Sequence, residues 1–173
     1  MVIPSTSKKP VLTTSPDRHF LLSHPAHFVA LGFGSGLAEK APGTFGTLVA
    51  VPLFMALMLT PEIVHFIVIA LLFLAGIPIC RKAGDALGVP DHGSIVWDEI
   101  VAFMLVLQFT PQTWLWWLPA FVLFRVFDIW KPFPIRQCDA RLKGGFGVMF
   151  DDLLAAIYAI ACLKVLQWLM MTY

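Results

Sequence analysis

Long apolar segments constrain the fold of this chain more than any other feature of its sequence. Of its 173 residues, 58% are hydrophobic and 13% are charged, and the mean hydropathy is +0.80. Soluble domains carry about 25% charged residues, so this composition indicates an integral membrane protein. Most of the apolar residues lie in five segments, which cover residues 48–59, 63–80, 100–109, 114–127 and 153–171.

The five segments predict an all-α fold, an integral membrane bundle of about five long apolar helices with short interfacial helices between them. Only residues 63–80 and 153–171 approach the roughly 20 residues that cross a bilayer. The other segments must recruit flanking residues, tilt, or enter partway. We expect residues 1–23 to form a loosely ordered N-terminal tail and residues 24–173 to form a single helical domain. The residues indicate no particular oligomeric state.

Basic residues alternate between the connections that join these segments. Lysine and arginine occur at residues 40, 81–82 and 131–143, but the Thr60-Pro61 and Thr110-Pro111 turns contain none. The positive-inside bias places the basic connections in the cytoplasm and the two turns outside. Five crossings satisfy this alternation. Each turn also offers a threonine N-cap followed by proline at the first helical position.

Acidic residues are gathered where the apolar segments begin or end. Three polar segments, residues 94–99, 124–132 and 144–152, hold five of the 11 acidic residues. The five-crossing arrangement brings all three to the cytoplasmic face. Mg²⁺ prefers oxygen ligands and is commonly held by carboxylates together with a substrate phosphate. We therefore predict a Mg²⁺ site formed by Asp98, Glu99, Asp128, Asp151 and Asp152.

Basic and small residues beside these carboxylates suit a phosphate ligand. Arginine can bind phosphate oxygens in bidentate fashion and lysine as a point charge. Glycine-rich loops before helices expose backbone N–H groups that can cradle a phosphate. The predicted phosphate-binding residues are Arg125, Lys131, Lys143, Gly43 and Thr44.

Each of these residues also has a structural interpretation. Acidic residues in a first helical turn stabilise the helix dipole, and Asp151 after two glycines could be an N-cap. Arg125 and Asp128, three residues apart, could form an ion pair without a ligand. The lysines could be interfacial anchors. His92, close in sequence to the carboxylates, is a candidate for proton transfer.

Four motifs in order resemble the phosphatidylglycerophosphatase A family over about residues 25–170. They are Gly34-Ser-Gly-Leu with Ala41-Pro-Gly-Thr, Asp91-His-Gly-Ser-Ile-Val-Trp-Asp-Glu, Phe124-Arg-Val-Phe-Asp-Ile-Trp-Lys-Pro-Phe-Pro-Ile and Gly144-Gly-Phe-Gly-Val-Met-Phe-Asp-Asp. The resemblance implies Mg²⁺-dependent hydrolysis of the terminal phosphate of phosphatidylglycerophosphate, giving phosphatidylglycerol, in a bacterial inner membrane. It also implies an all-helical phosphatase domain in which one helix is surrounded by others.

Position by position, the resemblance implies a smaller set of functional residues. They are Asp98, Glu99, Arg125, Asp128, Lys131, Asp151 and Asp152, and less directly Asp91, His92, Thr44 and Asp139. Glu39 and Lys40 fall where the family motif fixes no charge, so they are left out of the site. No Cys-x₅-Arg loop and no Asp-x-Asp sequence offers a covalent nucleophile. A metal-activated water is the expected alternative.

Two other functions compete with a lipid phosphatase. A CDP-alcohol phosphotransferase would also place aspartates and Mg²⁺ at the membrane edge, but its signature has Asp-Gly before Ala-Arg, and this chain has only Ala140-Arg141. A transporter would need acidic residues near the middle of the bilayer, whereas the acidic segments of this chain are expected at one face. A formal charge of +1 argues against nucleic-acid binding. The expected partners are an anionic phospholipid substrate and the membrane.

Overall fold

All the regular structure in residues 15–172, which the computed structural model describes, is helical. The all-α prediction is confirmed. Eight α-helices are present, with a 3₁₀ segment at Gly32–Leu37 between the second and third: α1 Arg18–Ser23, α2 Pro25–Ala30, α3 Pro42–Leu57, α4 Glu62–Leu87, α5 Trp97–Gln108, α6 Trp114–Trp130, α7 Ile135–Arg141 and α8 Gly144–Thr172.

Part of the predicted N-terminal tail is a helix instead. Residues 1–14 lie outside the described residues, but Arg18–Ser23 form α1. The side chain of Asp17 accepts a hydrogen bond of 2.8 Å from the N–H of Phe20 and so caps this helix. Leu21 is buried. This segment was predicted to be loosely ordered, but it has a side-chain cap and one buried leucine.

The helix α5 is the one that the others surround. It packs against α3, α4, α6 and α8, and nine of its 12 residues are buried. A helix that is apolar on every side needs neighbours all round it. The expectation of one enclosed helix is met by this short helix, which begins with the predicted site residues Asp98 and Glu99.

Among the described residues, two helices, α4 and α8, are long and apolar enough to cross a membrane by length and composition. With 26 residues, α4 is about 39 Å long, compared with a hydrocarbon layer of about 30 Å. Most of its outer side chains are exposed, including Ile67 and Leu71, as expected for a surface in contact with lipid. The protein is therefore membrane-associated. The two helices of spanning length are the two expected from the sequence, but they are fewer than the five crossings predicted. The 12 residues of α5 extend only about 18 Å.

The two threonine-proline turns lie at the end of the bundle opposite the acidic segments. Their threonines were predicted to cap the following helices, and this prediction is wrong. Thr60 Oγ1 donates to the carbonyl of Leu57 at 2.8 Å, and Thr110 Oγ1 donates to that of Val106 at 2.7 Å. Both hydroxyls thus satisfy the last carbonyls of the preceding helix, which are also groups without helical partners. The helix α6 begins at Trp114 rather than at the proline.

Close packing of α4 against α8 depends on glycine. A Cβ atom added at Gly145 would lie 1.9 Å from the carbonyl oxygen of Ile77, which is a backbone atom and cannot rotate away. Gly145 opens α8, seven residues before the last of the predicted metal ligands, Asp152. The position of that ligand therefore depends on this close contact between helices.

We expect Gly145→Ala to destabilise the fold by about 1–3 kcal/mol, because the added methyl group must push α8 away from α4. The thermal midpoint of purified protein in detergent measures this effect. Gly93→Ala is the matched control, since a Cβ atom there would meet nothing within 4 Å. Equal midpoints for the two variants would contradict the proposed close contact.

Candidate active site

Three helix ends meet at one end of the bundle and bring acidic side chains together. The first turn of α5, the last turns of α6 and the N-terminal third of α8 lie there. Together they supply all the predicted metal ligands, Asp98, Glu99, Asp128, Asp151 and Asp152. All except Glu99 are buried, and Glu99 is partly buried. The structure thus gathers these carboxylates away from water, where negative charge is costly unless cations compensate it.

One group of carboxylates is formed by Glu99, Asp128 and Asp152. Ligand oxygens of the three lie within 4.8 Å of one another. Arg125 holds two of them: its Nη1 atom is 2.8 Å from Glu99 Oε1 and 2.6 Å from Asp128 Oδ2. The ion pair between Arg125 and Asp128 that the sequence suggested is therefore present, but it belongs to a larger acidic group.

The helix α3 supports this group from the other side. Thr47 Oγ1 donates to the carbonyl of Gly43 at 2.8 Å and accepts a hydrogen bond of 3.4 Å from Arg125. A Cβ atom at Gly43 would lie 1.9 Å from Glu99 Oε1. The predicted residue Gly43 thus lies at the site as the point where α3 makes room for Glu99. Thr47 was not predicted to be a site residue, although it lies one helical turn after Gly43 on the same face of α3.

A second group of carboxylates is formed by Asp91, Asp139 and Asp151, again with ligand oxygens within 4.8 Å of one another. Lys131 is its cation: the ammonium forms a hydrogen-bonded ion pair with Asp151 and lies 3.3 Å from Asp139 Oδ2. Asp91 comes from the loop after α4 and Asp139 from α7. These two were implied only weakly, because neither lies beside a long apolar segment.

The backbone at Lys131 explains how its side chain reaches this group. The residue ends α6 in the left-handed conformation, with φ of 45°, and donates its N–H to the carbonyl of Phe127 at 2.9 Å. A proline follows and prevents the helix from continuing. The chain therefore turns back at Lys131, and its ammonium faces the carboxylates of α7 and α8.

Charges in the second group shift one another's protonation. Burial opposes the charged form of Lys131, but the hydrogen bond to Asp151 and its negative charge outweigh this effect, and the pKa of Lys131 is raised above its usual value. Asp91 is an exposed residue, yet partial loss of water around its carboxylate raises its pKa, and Lys131 acts in the opposite direction. Lys131 is thus firmly a cation at neutral pH.

Asp98 belongs to neither group of three. It is buried at the start of α5, and its Oδ1 atom has no hydrogen-bond partner among the described residues. The negative charges that act on it come from Glu99, Asp151 and Asp91, which represent both groups. Asp98 is therefore close enough to both groups to interact with their charges, and no described cation forms an ion pair with it.

Three other predicted residues lie around the carboxylates in different ways. Lys143 is exposed and donates to the backbone carbonyl of Asp139 at 3.2 Å. His92 lies in the loop before α5, where its Nδ1 atom accepts the N–H of Ser94 at 3.1 Å. Thr44 lies in the first turn of α3, where its N–H donates to the carbonyl of Ala41 at 2.9 Å. Of the three, the structure connects only Lys143 to a member of an acidic group.

The interpretation of Asp151 as an N-cap is wrong, because α8 begins at Gly144, seven residues earlier. Asp98 and Glu99 do lie in a first helical turn, where their charge is favourable. That effect falls off within one turn of a helix. It cannot compensate Asp151, Asp152 and Asp128, so another source of positive charge is needed for them.

Unpartnered oxygen atoms show that the site suits a metal ion. Seven carboxylates face two cations, Arg125 and Lys131. Four of the carboxylate oxygens are buried and have no hydrogen-bond partner among the described residues: Asp98 Oδ1, Glu99 Oε2, Asp151 Oδ1 and Asp152 Oδ2. Native proteins rarely leave such atoms unsatisfied. An all-oxygen donor set with excess negative charge fits a hard divalent cation such as Mg²⁺.

Comparison with known proteins identifies the family. The family model for phosphatidylglycerophosphatase A matches residues 28–167. The chain belongs to the phosphatidylglycerophosphatase A family. The resemblance seen in its motifs is thereby confirmed, and so is the prediction of an enzyme, a phosphatase. Both acidic groups and both cations lie within the matched residues.

Individual relatives agree with this assignment. A phosphatidylglycerophosphatase A of Haemophilus influenzae is 47% identical over 159 residues, which cover 91% of this chain and 98% of the relative. One of Escherichia coli is 40% identical over 143 residues, covering 82% and 83%. A protein of Bacteroides thetaiotaomicron named "Putative phosphatidylinositol-3-phosphatase" is 37% identical over 148 residues, covering 81% and 92%. No solved structure shows significant similarity to the chain.

Replacing one unpaired carboxylate should separate activity from stability. We expect Asp98→Asn and Asp152→Asn each to lower phosphatase kcat by about 100-fold or more, because a ligand or proton acceptor is lost. The thermal midpoint in metal-free buffer should stay the same or rise, because repulsion between buried carboxylates is relieved. Asp85→Asn, at an exposed residue paired with Arg81, is the control and should change neither quantity. Wild-type kcat in both site variants would support a purely structural role.

Proposed function

We propose that the protein is a Mg²⁺-dependent lipid phosphatase that hydrolyses the terminal phosphomonoester of phosphatidylglycerophosphate to phosphatidylglycerol and phosphate. The observation that supports it is the pair of acidic groups, each with one cation, at the end of apolar helices in a chain of this family. The two most similar relatives described above bear the name of this activity.

Metal binding follows from the two groups of three. Glu99, Asp128 and Asp152 would hold one Mg²⁺ ion, and Asp91, Asp139 and Asp151 would hold a second. When bound, the metal would withdraw charge from the phosphate oxygens and lower the pKa of a coordinated water. The buried carboxylates would give the site an excess of negative charge that favours a divalent cation.

Arg125 and Lys131 would bind the phosphoryl oxygens. Arg125 uses Nη1 for its contacts with Glu99, Asp128 and Thr47, and its buried Nε–H has no partner among the described residues. That donor is free for a phosphate oxygen. Lys131 is held between Asp139 and Asp151 at the edge of the second group. Both cations would stabilise negative charge that grows on the phosphoryl group during hydrolysis.

Asp98 is our candidate for the proton acceptor. It interacts with the charges of both groups but belongs to neither, and one of its oxygens has no partner among the described residues. In the reaction a water oxygen forms a bond to phosphorus and the bond from phosphorus to the glycerol oxygen breaks. One proton of the water would pass to Asp98, and Asp98 would return it to the glycerol oxygen as phosphatidylglycerol leaves.

The location that we propose is the cytoplasmic face of a bacterial inner membrane, in a multi-pass arrangement. Support comes from the basic residues, since Arg81, Lys82, Lys131 and Lys143 all lie at the same end of the bundle as the acidic groups. The shorter helices would remain within the bundle beside α4 and α8. A lipid phosphate could then reach the carboxylates while its acyl chains stay in the bilayer.

Substrate selection tests the function. Purified protein in mixed micelles should release phosphate from phosphatidylglycerophosphate only when Mg²⁺ is added, and a chelator should stop the release. Rates should rank phosphatidylglycerophosphate above phosphatidic acid, and both above glycerol phosphate, because a soluble ester lacks membrane presentation. Phosphatidylinositol 3-phosphate belongs in the same assay, given the name of the third relative.

Each other result would identify a different function. Faster turnover of phosphatidylinositol 3-phosphate would replace the proposed substrate. Release of CMP from a CDP-lipid would indicate the phosphotransferase alternative. Ion flux without hydrolysis would indicate the transporter. Added Mg²⁺ should also raise the thermal midpoint of the wild type, and should do so less for Asp152→Asn.

Cysteine labelling tests the proposed topology. After the native cysteines are replaced by serine, single cysteines at Lys40, Lys82 and Lys143 should react only when the reagent reaches the cytoplasm. A cysteine at Gln112, which is exposed at the opposite end, should react from outside. Labelling of the Lys143 and Gln112 positions from the same side would favour a bundle that enters one leaflet.

A further inference from the structure

An apolar cavity opens on the outer surface of the bundle between α4 and α5. Its volume is about 300 Å³, and its walls include Phe66, Ala70 and Leu74 of α4 and Ala102 and Leu105 of α5. Every side chain that lines it is apolar. It is not part of the acidic site, and the proposed mechanism does not use it.

The cavity is a groove with a buried floor and an open rim. Its floor includes Ile69 and Val101, which are 5% and 1% exposed. Its rim includes Phe66 and Leu74, which are 39% and 60% exposed. The rim residues belong to α4, one of the two helices long enough to cross a membrane. The groove therefore opens sideways, toward the region that lipid would occupy around this helix.

The inner end of the groove is formed by residues that closely follow the carboxylates along α5 and α8. Ala102 comes one helical turn after Asp98, and residues at this spacing share one face of a helix. Leu153, which also lines the groove, directly follows Asp152 in α8. From there the groove extends along α4 and α5 away from the acidic site, in the direction of the opposite end of the bundle.

We infer that this groove binds one acyl chain of the lipid substrate and thereby positions the headgroup at the carboxylates. The inference rests on the proposed function and deepens it, because it names a second part of the substrate that the protein recognises. Continuity with the acidic site favours an acyl chain over another helix as the occupant. A helix in the groove would bury the rim but would bring no phosphate to Asp98 and Asp152.

The chemistry of the two regions matches that of a phospholipid. The acidic site with its cations and metal would bind the phosphate, and the wholly apolar groove would bind a hydrocarbon chain. Binding energy from a remote part of a substrate can be used to place the reacting group correctly. The groove would therefore act in catalysis by orientation, and its residues are positioning residues with no contact to the phosphate.

Two exposed alanines of α4 provide a matched test. Ala70 lines the groove, whereas Ala75, five residues later, points about 140° away around the helix and does not line it. We expect Ala70→Trp to fill the groove and to lower kcat/KM for long-chain phosphatidylglycerophosphate by about tenfold or more, mainly through KM. Ala75→Trp should keep the wild-type value.

A short-chain substrate distinguishes this effect from general damage. With a short-chain phosphatidylglycerophosphate, which gains little from the groove, the Ala70→Trp and wild-type enzymes should have similar kcat/KM. An equal loss with both substrates, or no loss with the long-chain substrate, would overturn the inference. Failure of the wild type to hydrolyse either substrate would instead count against the proposed function. Binding of an acyl chain in the groove can then be measured by crosslinking, which needs no hydrolysis.

Photocrosslinking locates the acyl chain directly. Phosphatidylglycerophosphate with a photoreactive group in one acyl chain should label peptides that contain Ala102 and Leu105 in the wild type and in Ala75→Trp. Ala70→Trp should abolish this labelling, and an excess of unlabelled substrate should compete with it. Uniform labelling of all lipid-facing helices, unchanged by Ala70→Trp, would show that the groove binds no particular chain.

Discussion

The guanidinium of Arg125 connects three helices at the point where the buried carboxylates meet. From α6 it contacts Glu99 of α5, Asp128 of its own helix and Thr47 of α3. A buried charge pair is stable only when its remaining hydrogen-bonding groups are satisfied, and here one carboxylate oxygen and one guanidinium N–H remain free. The contact therefore fixes the geometry of the helices but leaves the charge of the site uncompensated, and a metal ion with a phosphate would supply what is missing.

The need to hold carboxylates away from water also accounts for the short central helix α5. Because α5 begins at the acidic site and is enclosed by four helices, its first turn can hold carboxylates away from water while the rest of it fills the core. Gly43 on α3 and Gly145 on α8 let neighbouring helices approach where a side chain would collide with Glu99 or with the backbone of α4. At this end of the bundle, close packing of the helices thus holds the carboxylates of the acidic site in place.

Residues beside long apolar segments could be predicted from the sequence, and residues in short connections could not. The hydropathy pattern located the main helices, and the carboxylates at their ends were correctly expected to converge. Asp91 and Asp139 were implied only by the family resemblance, because a loop and a short helix bring them into the site by turns that hydropathy does not encode. The two segments expected to approach spanning length became α4 and α8, but these are fewer than the five crossings predicted. The enclosed helix α5 is apolar like a membrane segment but only 12 residues long. Thr60 and Thr110 failed as predicted N-caps because a hydroxyl between two helices can satisfy the carbonyls of the first as well as the N–H groups of the second.

A lipid substrate requires the acidic site to lie at a particular depth in the membrane. In a soluble phosphatase the whole substrate can turn to present its phosphate, but a phospholipid held by its acyl chains in a bilayer cannot. The enzyme must therefore bring its charged groups to the depth of the headgroup. The helix α8 meets this need, because Asp152 near its start is followed by exposed apolar residues such as Ile157 and Val165. In the proposed function, the acidic end of α8 would lie at the depth of the lipid phosphate, and its apolar remainder would set that depth.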